Sequence, residues 1–282
     1  MIEIALIAPA KLTLTLRVTG VRADGFHELE ALTVSVSAPF DDVVVADAPA
    51  GTVGLTVTGR ADDVPTDESN LVVRAARSVL PPDAGAHISL HKRIPPGAGL
   101  GGGSADAGVV LRALRDRHGL DRARVEQAAA DLGSDIPFCL HGAPAWMRGR
   151  GEVLEPVEIP GPLWVLVVVP PFALHTPPVY RAWDDLGGPR SARGIPAPAV
   201  LAGFVDVLAN DLEPAAEHVE PRLAPFRDRL ESATGATALL AGSGSALWIP
   251  YATEDAAVEA AASARATLEV PVFVGSVLPS PA

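Results

Sequence analysis

The sequence predicts an α+β protein of two domains, 1–156 and 157–282. Three observations carry this expectation. Apolar and polar residues alternate strictly in "KLTLTLRV", as in a half-buried strand, and the first quarter reads as hairpin-rich sheet. Two helix-patterned segments follow a glycine-rich loop near the middle of the chain. Beyond the joint "EPVEIPGP" (155–162), short helices alternate with strands, and no internal repeat is visible. At 282 residues, 48% hydrophobic and 20% charged, the chain has material for a packed core.

Taken in order, "KLTLTLRV" places Leu12, Leu14, Leu16 and Val18 on one face. Lys11, Thr13, Thr15 and Arg17 share the other, so Lys11 stands at the start of a half-buried strand, on its polar face. Asp24-Gly25 in "VRADGFHEL" marks a turn. A second strand carries Leu32, Val34 and Val36 on one face. Two more, Asp42–Ala46 and Leu55–Thr58, complete an antiparallel, hairpin-rich sheet. "NLVVRAARSVL" is a helix with Asn70 as its cap, ended by Pro81 and Pro82. "HISLHKRI" (87–94) alternates, with Ile88, Leu90 and Ile94 inward. His87, His91, Lys92 and Arg93 make that strand half exposed, hence antiparallel.

Ser104 to His118 reads as a helix with Gly119 in the left-handed position after it. A second helix runs from an Asp121 cap to Leu132, with Gly133 behind it. "FCLHG" and "APAWMRGRGEVLEPV" read as strands with a Gly-Arg-Gly turn. The second half offers a buried strand, Leu163–Val169, and a flexible stretch, "GGPRSARGIPAP" (187–198). Helices follow around 199–209 and 222–233. "TALLAGSGSALWIPY" is a strand, a small glycine loop and a strand. An Ala-rich helix (254–267) and a last strand, "VPVFVGS", close the pattern.

A net charge of −12 argues against a nucleic-acid partner, which asks for a basic surface, though it leaves room for a local basic pocket. The single cysteine, Cys139, excludes an intrachain disulfide, and no Cys/His spacing suggests zinc. "MIEIALIAPAK" lacks a basic leader, and the run Leu163–Val169 is too short to span a bilayer. A cytoplasmic protein without membrane partners is expected; the oligomeric state is left open. Of 22 basic residues only Lys11 and Lys92 are lysines. A lysine retained in so arginine-rich a chain suggests a site for a compact point charge, although chance alone leaves a few.

"KRIPPGAGLGGGSADAG" (92–108) carries six glycines, far more than a plain strand-to-helix turn uses, and each costs backbone entropy. Such a bare backbone suits an anion approached by several N–H groups. Gly97 to Gly102 formally match G-x-G-x-x-G, the mark of a dinucleotide-dependent oxidoreductase. The preceding strand is half exposed and does not open a βαβ unit, so that reading is a minor alternative. No lysine follows the glycines as a Walker loop requires.

"PPGAGLGGGSADAG" resembles the central phosphate-loop motif of the GHMP kinases, which phosphorylate small alcohols. "APAKLTL" and "GSGSALW" (242–248) resemble that family's first and third motifs. "RADGFHEL", "GSDIPF" and "NDLEP" resemble the branch whose acceptor is a cytidine diphosphate-linked methylerythritol, in non-mevalonate isoprenoid precursor synthesis. Homoserine or a mevalonate phosphate is the alternative acceptor within the family. The resemblance implies two α+β domains with the active site in the cleft between them, and ATP and Mg²⁺ as cofactors.

It further implies that Pro95, Pro96, Gly97, Ala98, Gly99, Leu100, Gly101, Gly102, Gly103, Ser104 and Ala105 wrap the ATP phosphates. Ser104 would open the helix, cap it and help hold Mg²⁺. Asp135 would be the general base, and Lys11 would stabilise charge beside it. A helix C-terminus disfavours a carboxylate at Asp135, and Pro137 restrains Ile136 to an extended form that fixes the loop. Thr13, Phe26 and His27 would meet the substrate, Phe26 stacking on cytosine and His27 reading its edge. Thr13 stands where the family usually has Asn. Gly108 stands where it has Ala, which softens the first turn of the helix.

Overall fold

Two strands far longer than the alternation suggests, β1 (Glu3–Val21) and β2 (His27–Asp47), form the spine of the molecule. A computed structural model describes residues 3–60 and 64–280. The segments expected as separate strands around Val34 and Asp42–Ala46 are one continuous β2. With β3 (Val53–Gly59), β4 (Ala86–Lys92), β5 (Ala145–Gly149) and β6 (Val153–Pro156) they make a six-stranded sheet ordered β3-β4-β2-β5-β6, with β1 on β2. β4 is antiparallel to β2 but parallel to β3, so the first sheet is mixed rather than wholly antiparallel.

β1 is also not half-buried. The register shifts between Thr13 and Thr15, a bulge that turns the strand over. Leu12 and Leu14 therefore enter one core, and Leu16 and Val18 the other. Lys11, Thr13 and Thr15 are themselves buried, because loops of both halves close over their face: Gly101 and Gly242 pack on Lys11, and the Thr15 hydroxyl donates to Ala209 O at 2.9 Å. Lys11 lies in the middle of β1, not at its start.

Helices α1 (Leu71–Val79), α2 (Gly102–His118) and α3 (Arg122–Leu132) follow the expected positions. The Asn70 and Asp121 side chains cap α1 and α3 by accepting from Val72 N and Arg124 N, each at 2.9 Å. Gly119 adopts a left-handed φ of 60° behind α2, as expected, whereas Gly133 is extended. α4 (Ile136–His141) replaces the strand expected at "FCLHG". Pro137 sits in its first turn, where the missing N–H costs nothing, and Gly142 closes it at φ 74°. Ile136 is thus helical, not extended.

The second sheet is β10-β11-β7-β12, with β7 at Trp164–Val168, β10 at Leu239–Leu240, β11 at Leu247–Tyr251 and β12 at Val272–Ser276. α5 (Thr176–Asp185), α6 (Glu213–Val219), α7 (Leu223–Thr234) and α8 (Glu254–Thr267) accompany it. Of the helix expected around 199–209 only a single 3-10 turn, Ala199–Leu201, is formed, and β9 (Val207–Leu208) behind it pairs with β8 (Ile195–Pro196). The stretch 187–198 is fastened rather than loose: Arg190 pairs with Asp211 at 2.6 Å, and Arg193 with Glu213 and Glu231.

The two sheets share an apolar core. Leu12, Leu14, Leu32, Val34 and Val36 meet Leu163, Val165, Val167, Val169 and Trp248 there. Leu166 and Val168, on the other face of β7, join the helices. Among the described residues no helix is long and apolar enough to cross a membrane.

Candidate active site

A cavity of about 520 Å³ opens between the two halves. Lys11, Thr13, Phe26, His27 and Asp135 line it from the first half, and Tyr180, Arg181, Asp184 and Ser243 from the second. A second cavity of about 410 Å³ adjoins it, lined by the glycine loop from Pro95 to Ser104 and by Leu174 and Gly244. Lys11, Ser104, Asp135, Thr176 and Ser243 line both.

A separate register shift, between Pro9 and Lys11, sets the face on which Lys11 enters this junction. Its backbone N–H donates to Leu100 O at 3.0 Å, which ties β1 to the glycine loop. Its stem crosses Gly101, where a Cβ would stand 2.6 Å from Lys11 Cγ. Gly101 also has φ +65°, so two requirements select glycine here. Lys11 Nζ lies 3.3 Å from Asp135 Oδ2; the lysine side chain is 11% exposed and the aspartate 38%. Thr13 faces the same cavity two residues on.

Asp135 lies at the N-cap position of α4, so the dipole of that short helix favours its charge. The expected destabilisation by the end of α3 is thereby corrected: the carboxylate is close to α3 but belongs to the start of α4. Its charge reaches its neighbours. Burial and Asp135 both push the Tyr180 hydroxyl above the usual tyrosine range, and do the same to the Cys139 thiol. That makes Cys139 inert.

The glycine loop is stitched to the third glycine motif. Ala246 N donates to Ala98 O at 3.0 Å, and Leu174 N to Gly97 O at 3.4 Å. A Cβ on Gly99 would stand 2.4 Å from Ala241 O. Asn210 of "NDLEP" donates to Leu240 O and Gly242 O, at 2.9 and 2.7 Å, and so shapes the third loop. Helix α2 starts at Gly102, capped by Gly101. Ser104 is therefore in its first turn rather than its cap. Ala105 is a correction too: it is buried, and its N–H donates to Gly101 O at 2.8 Å, so it does not face the cavity. The N–H groups of Gly102, Gly103 and Ser104, ahead of it in the first turn, precede any intrahelical acceptor.

Phe26 and His27 part company. Phe26 is 49% exposed at the cavity mouth, with the Arg150 guanidinium 5.2 Å from its ring centroid. His27 opens β2 and is no exposed loop imidazole. Its Nε2 is 2.8 Å from Asp184 Oδ1, and its ring lies 4.7 Å from Tyr180 and 5.4 Å from Trp183. Tyr180, Asp184 and Trp183 all belong to α5, which the sequence reading missed. The available signal was "TPPVYRAW", prolines tolerated in a first turn followed by aromatics three apart.

Among the described residues no group of three His, Cys, Asp or Glu side chains could hold a metal ion. Mg²⁺ does not need one, since it keeps waters and binds through one or two protein oxygens plus phosphates. The Ser104 hydroxyl, which lines the shared junction, suits that mode.

Residues 70–143 match the family described as GHMP kinases N terminal domain. The chain is 40% identical over 262 residues to a 4-diphosphocytidyl-2-C-methyl-D-erythritol kinase of Jannaschia sp. (strain CCS1), covering 90% of this chain and 91% of that protein. It is 39% identical to the enzyme of the same name from Pelotomaculum thermopropionicum, covering 94% and 95%. A crystal structure of 4-(cytidine 5'-diphospho)-2C-methyl-D-erythritol kinase superposes with a TM-score of 0.78 at 34% identity, covering 99% of this chain and all (100%) of that one. L. major mevalonate kinase in complex with R-mevalonate, at 16% identity and TM-score 0.69, shares the fold.

Proposed function

Because the chain belongs to the 4-diphosphocytidyl-2-C-methyl-D-erythritol kinase branch of the GHMP kinases, we propose that it transfers the γ-phosphate of ATP to the 2-hydroxyl of that cytidyl alcohol. One observation carries the proposal: two adjoining cavities meet at a 3.3 Å Lys11–Asp135 pair. The glycine-lined cavity takes ATP, and the larger one takes the acceptor.

Phosphoryl transfer is mostly positioning and charge stabilisation. The first-turn N–H groups of α2 and the loop backbone hold the phosphates. Asp135 accepts the proton of the acceptor hydroxyl as that oxygen bonds to the γ-phosphorus and the bond to the β-phosphate oxygen breaks. ADP leaves, and the proton rests on the Asp135 carboxylate. Lys11 holds Asp135 in place and stabilises the oxygen that becomes negative. Ser104 would hold Mg²⁺, which offsets phosphate charge when bound. Phe26 and Tyr180 offer aromatic faces to the cytosine, and His27, steadied by Asp184, offers its edge a polar partner. These elements come from both halves, so the active site lies in the cleft between domains 1–156 and 157–282.

The test is Asp135→Asn. Turnover is expected to fall roughly 10²–10⁴-fold, with affinity for a non-hydrolysable ATP analogue unchanged. A variant with near wild-type turnover would remove Asp135 from the reaction.

A further inference from the structure

Lys92, the chain's other lysine, takes no part in that mechanism, yet its side chain is only 7% exposed. Its ammonium is clasped between two carboxylates, Asp41 of β2 and Asp106 of α2. Asp41 spends its other oxygen on the N–H groups of Arg93 and Ile94, at 2.5 and 2.8 Å. Those two residues lead straight into Pro95 and the glycine loop. Asp106 stands just past the loop's far end, in the early turns of α2. One ammonium therefore fastens both ends of the loop to the sheet. It also lines the nucleotide cavity, and a Cβ at Gly102 would stand 3.5 Å from Nζ.

Stability alone is a poor reason for this arrangement. One cation and two carboxylates lose solvation in the interior, and apolar residues of similar volume often serve as well or better. Asp106 Oδ1 is moreover buried without a partner. What the cluster supplies, and packing does not, is a directional hold. Several N–H groups must converge on one phosphate, and a shift of about 1 Å at a reacting site can cost roughly 10²-fold.

We propose that Lys92 is the positioning residue of the nucleotide site: it clamps the two ends of the glycine loop, through Asp41 and Asp106, so that the first turn of α2 points at the phosphates. The inference rests on the glycine-lined cavity being the ATP site. Lys92 lines the glycine-loop cavity and not the acceptor cavity, so it acts on nucleotide binding and not on acceptor choice.

The experiment uses the full chain and a non-hydrolysable ATP analogue, with binding followed by calorimetry and amide exchange by mass spectrometry. Lys92→Met leaves two carboxylates facing one another and risks misfolding. Lys92→Met/Asp106→Asn removes that conflict, while Asp41 keeps its two N–H partners. For the double variant, analogue affinity is expected to fall roughly ten- to a hundred-fold. Exchange should rise in 95–105 and nowhere else, with the acceptor KM unchanged. Wild-type affinity and unaltered exchange in that variant overturn the proposal. So does exchange raised evenly over the whole chain, which means that Lys92 only stabilises the fold. If the wild type itself fails to bind the analogue, the nucleotide reading falls, and local exchange alone still decides whether Lys92 fastens the loop.

Discussion

Lys11 owes its place to glycines on two loops: a Cβ at Gly101 would collide with its stem, and one at Gly242 would stand 3.4 Å from Nζ. A guanidinium is wider and spreads its charge, so it does not fit this slot. Lys11→Arg should cut turnover by about 10²-fold or more, measured against unchanged thermal stability; an active arginine variant would show that any positive charge suffices. Asp106 makes a different prediction. Burial raises its carboxyl, Lys92 pulls it down and Asp41 pushes it up again, leaving it at about 7. The folded state then binds a proton that the unfolded chain, with an ordinary value of 3.8, has released. That contribution to stability is present below the unfolded value and is lost as pH rises through the folded one. Between about pH 5 and pH 8 the wild type should therefore lose more stability than Asp106→Asn. Parallel melting curves against pH would contradict this. Lysine scarcity singled out Lys11 and Lys92 in the sequence, but not their different roles. Lys92 lies among residues that alternate as a half-exposed strand, and only the structure brings Asp41 and Asp106 to it.

Elements position these residues, and α4 is the clearest case. Its apolar "FCL" run suggests a strand, because short apolar segments do not declare their period. Pro137 in the first turn and Gly142 behind it were the legible signs of a helix. Gly108 does not soften the first turn of α2; it answers to a contact between helices. It lies beyond the first turn of α2, and a Cβ there would stand 2.6 Å from Cys139 C and 2.8 Å from Leu140 N of α4. Helix α2 thus approaches the backbone of α4, whose N-cap is Asp135. Gly108→Ala should force the helices apart, cost about 1–3 kcal/mol and lower kcat more than ATP affinity. Wild-type kcat with an alanine in place would show that α4 moves without disturbing Asp135. Helices α1 and α3 were legible because a polar cap in front and prolines or a glycine behind are local signals, and α8 because its run is rich in alanine. Helix α5 was not, since two prolines read as a loop until the turn that accepts them is seen.

At the scale of the molecule, the sequence showed the order of motifs but not their meeting. His27 and Asp184 are 157 positions apart and touch at 2.8 Å. The bulge at Thr13–Thr15 turns β1 from one core to the other, and no periodicity announces it. Alternation on β1 predicted one wet face; the second sheet packs on the opposite, Leu12/Leu14 face, while Gly101, Gly242 and Ala209 close over the polar one and make it a floor for the cleft. The acidic chain brings Lys11, Arg150 and Arg181 to that cleft beside Asp135 and Asp184, so cations slightly outnumber carboxylates where an anionic acceptor would sit. A cleft that passes phosphate from ATP to a cytidyl-linked alcohol must yield a phosphomonoester of that alcohol. Phosphorus NMR tests it directly. The enzyme is incubated with ATP, Mg²⁺ and, separately, 4-diphosphocytidyl-2-C-methyl-D-erythritol, homoserine and mevalonate phosphate. A new phosphomonoester, with matching ADP, is expected from the cytidyl alcohol alone. Equal phosphorylation of homoserine or mevalonate phosphate, or ATP bound with no phosphomonoester formed, would contradict it.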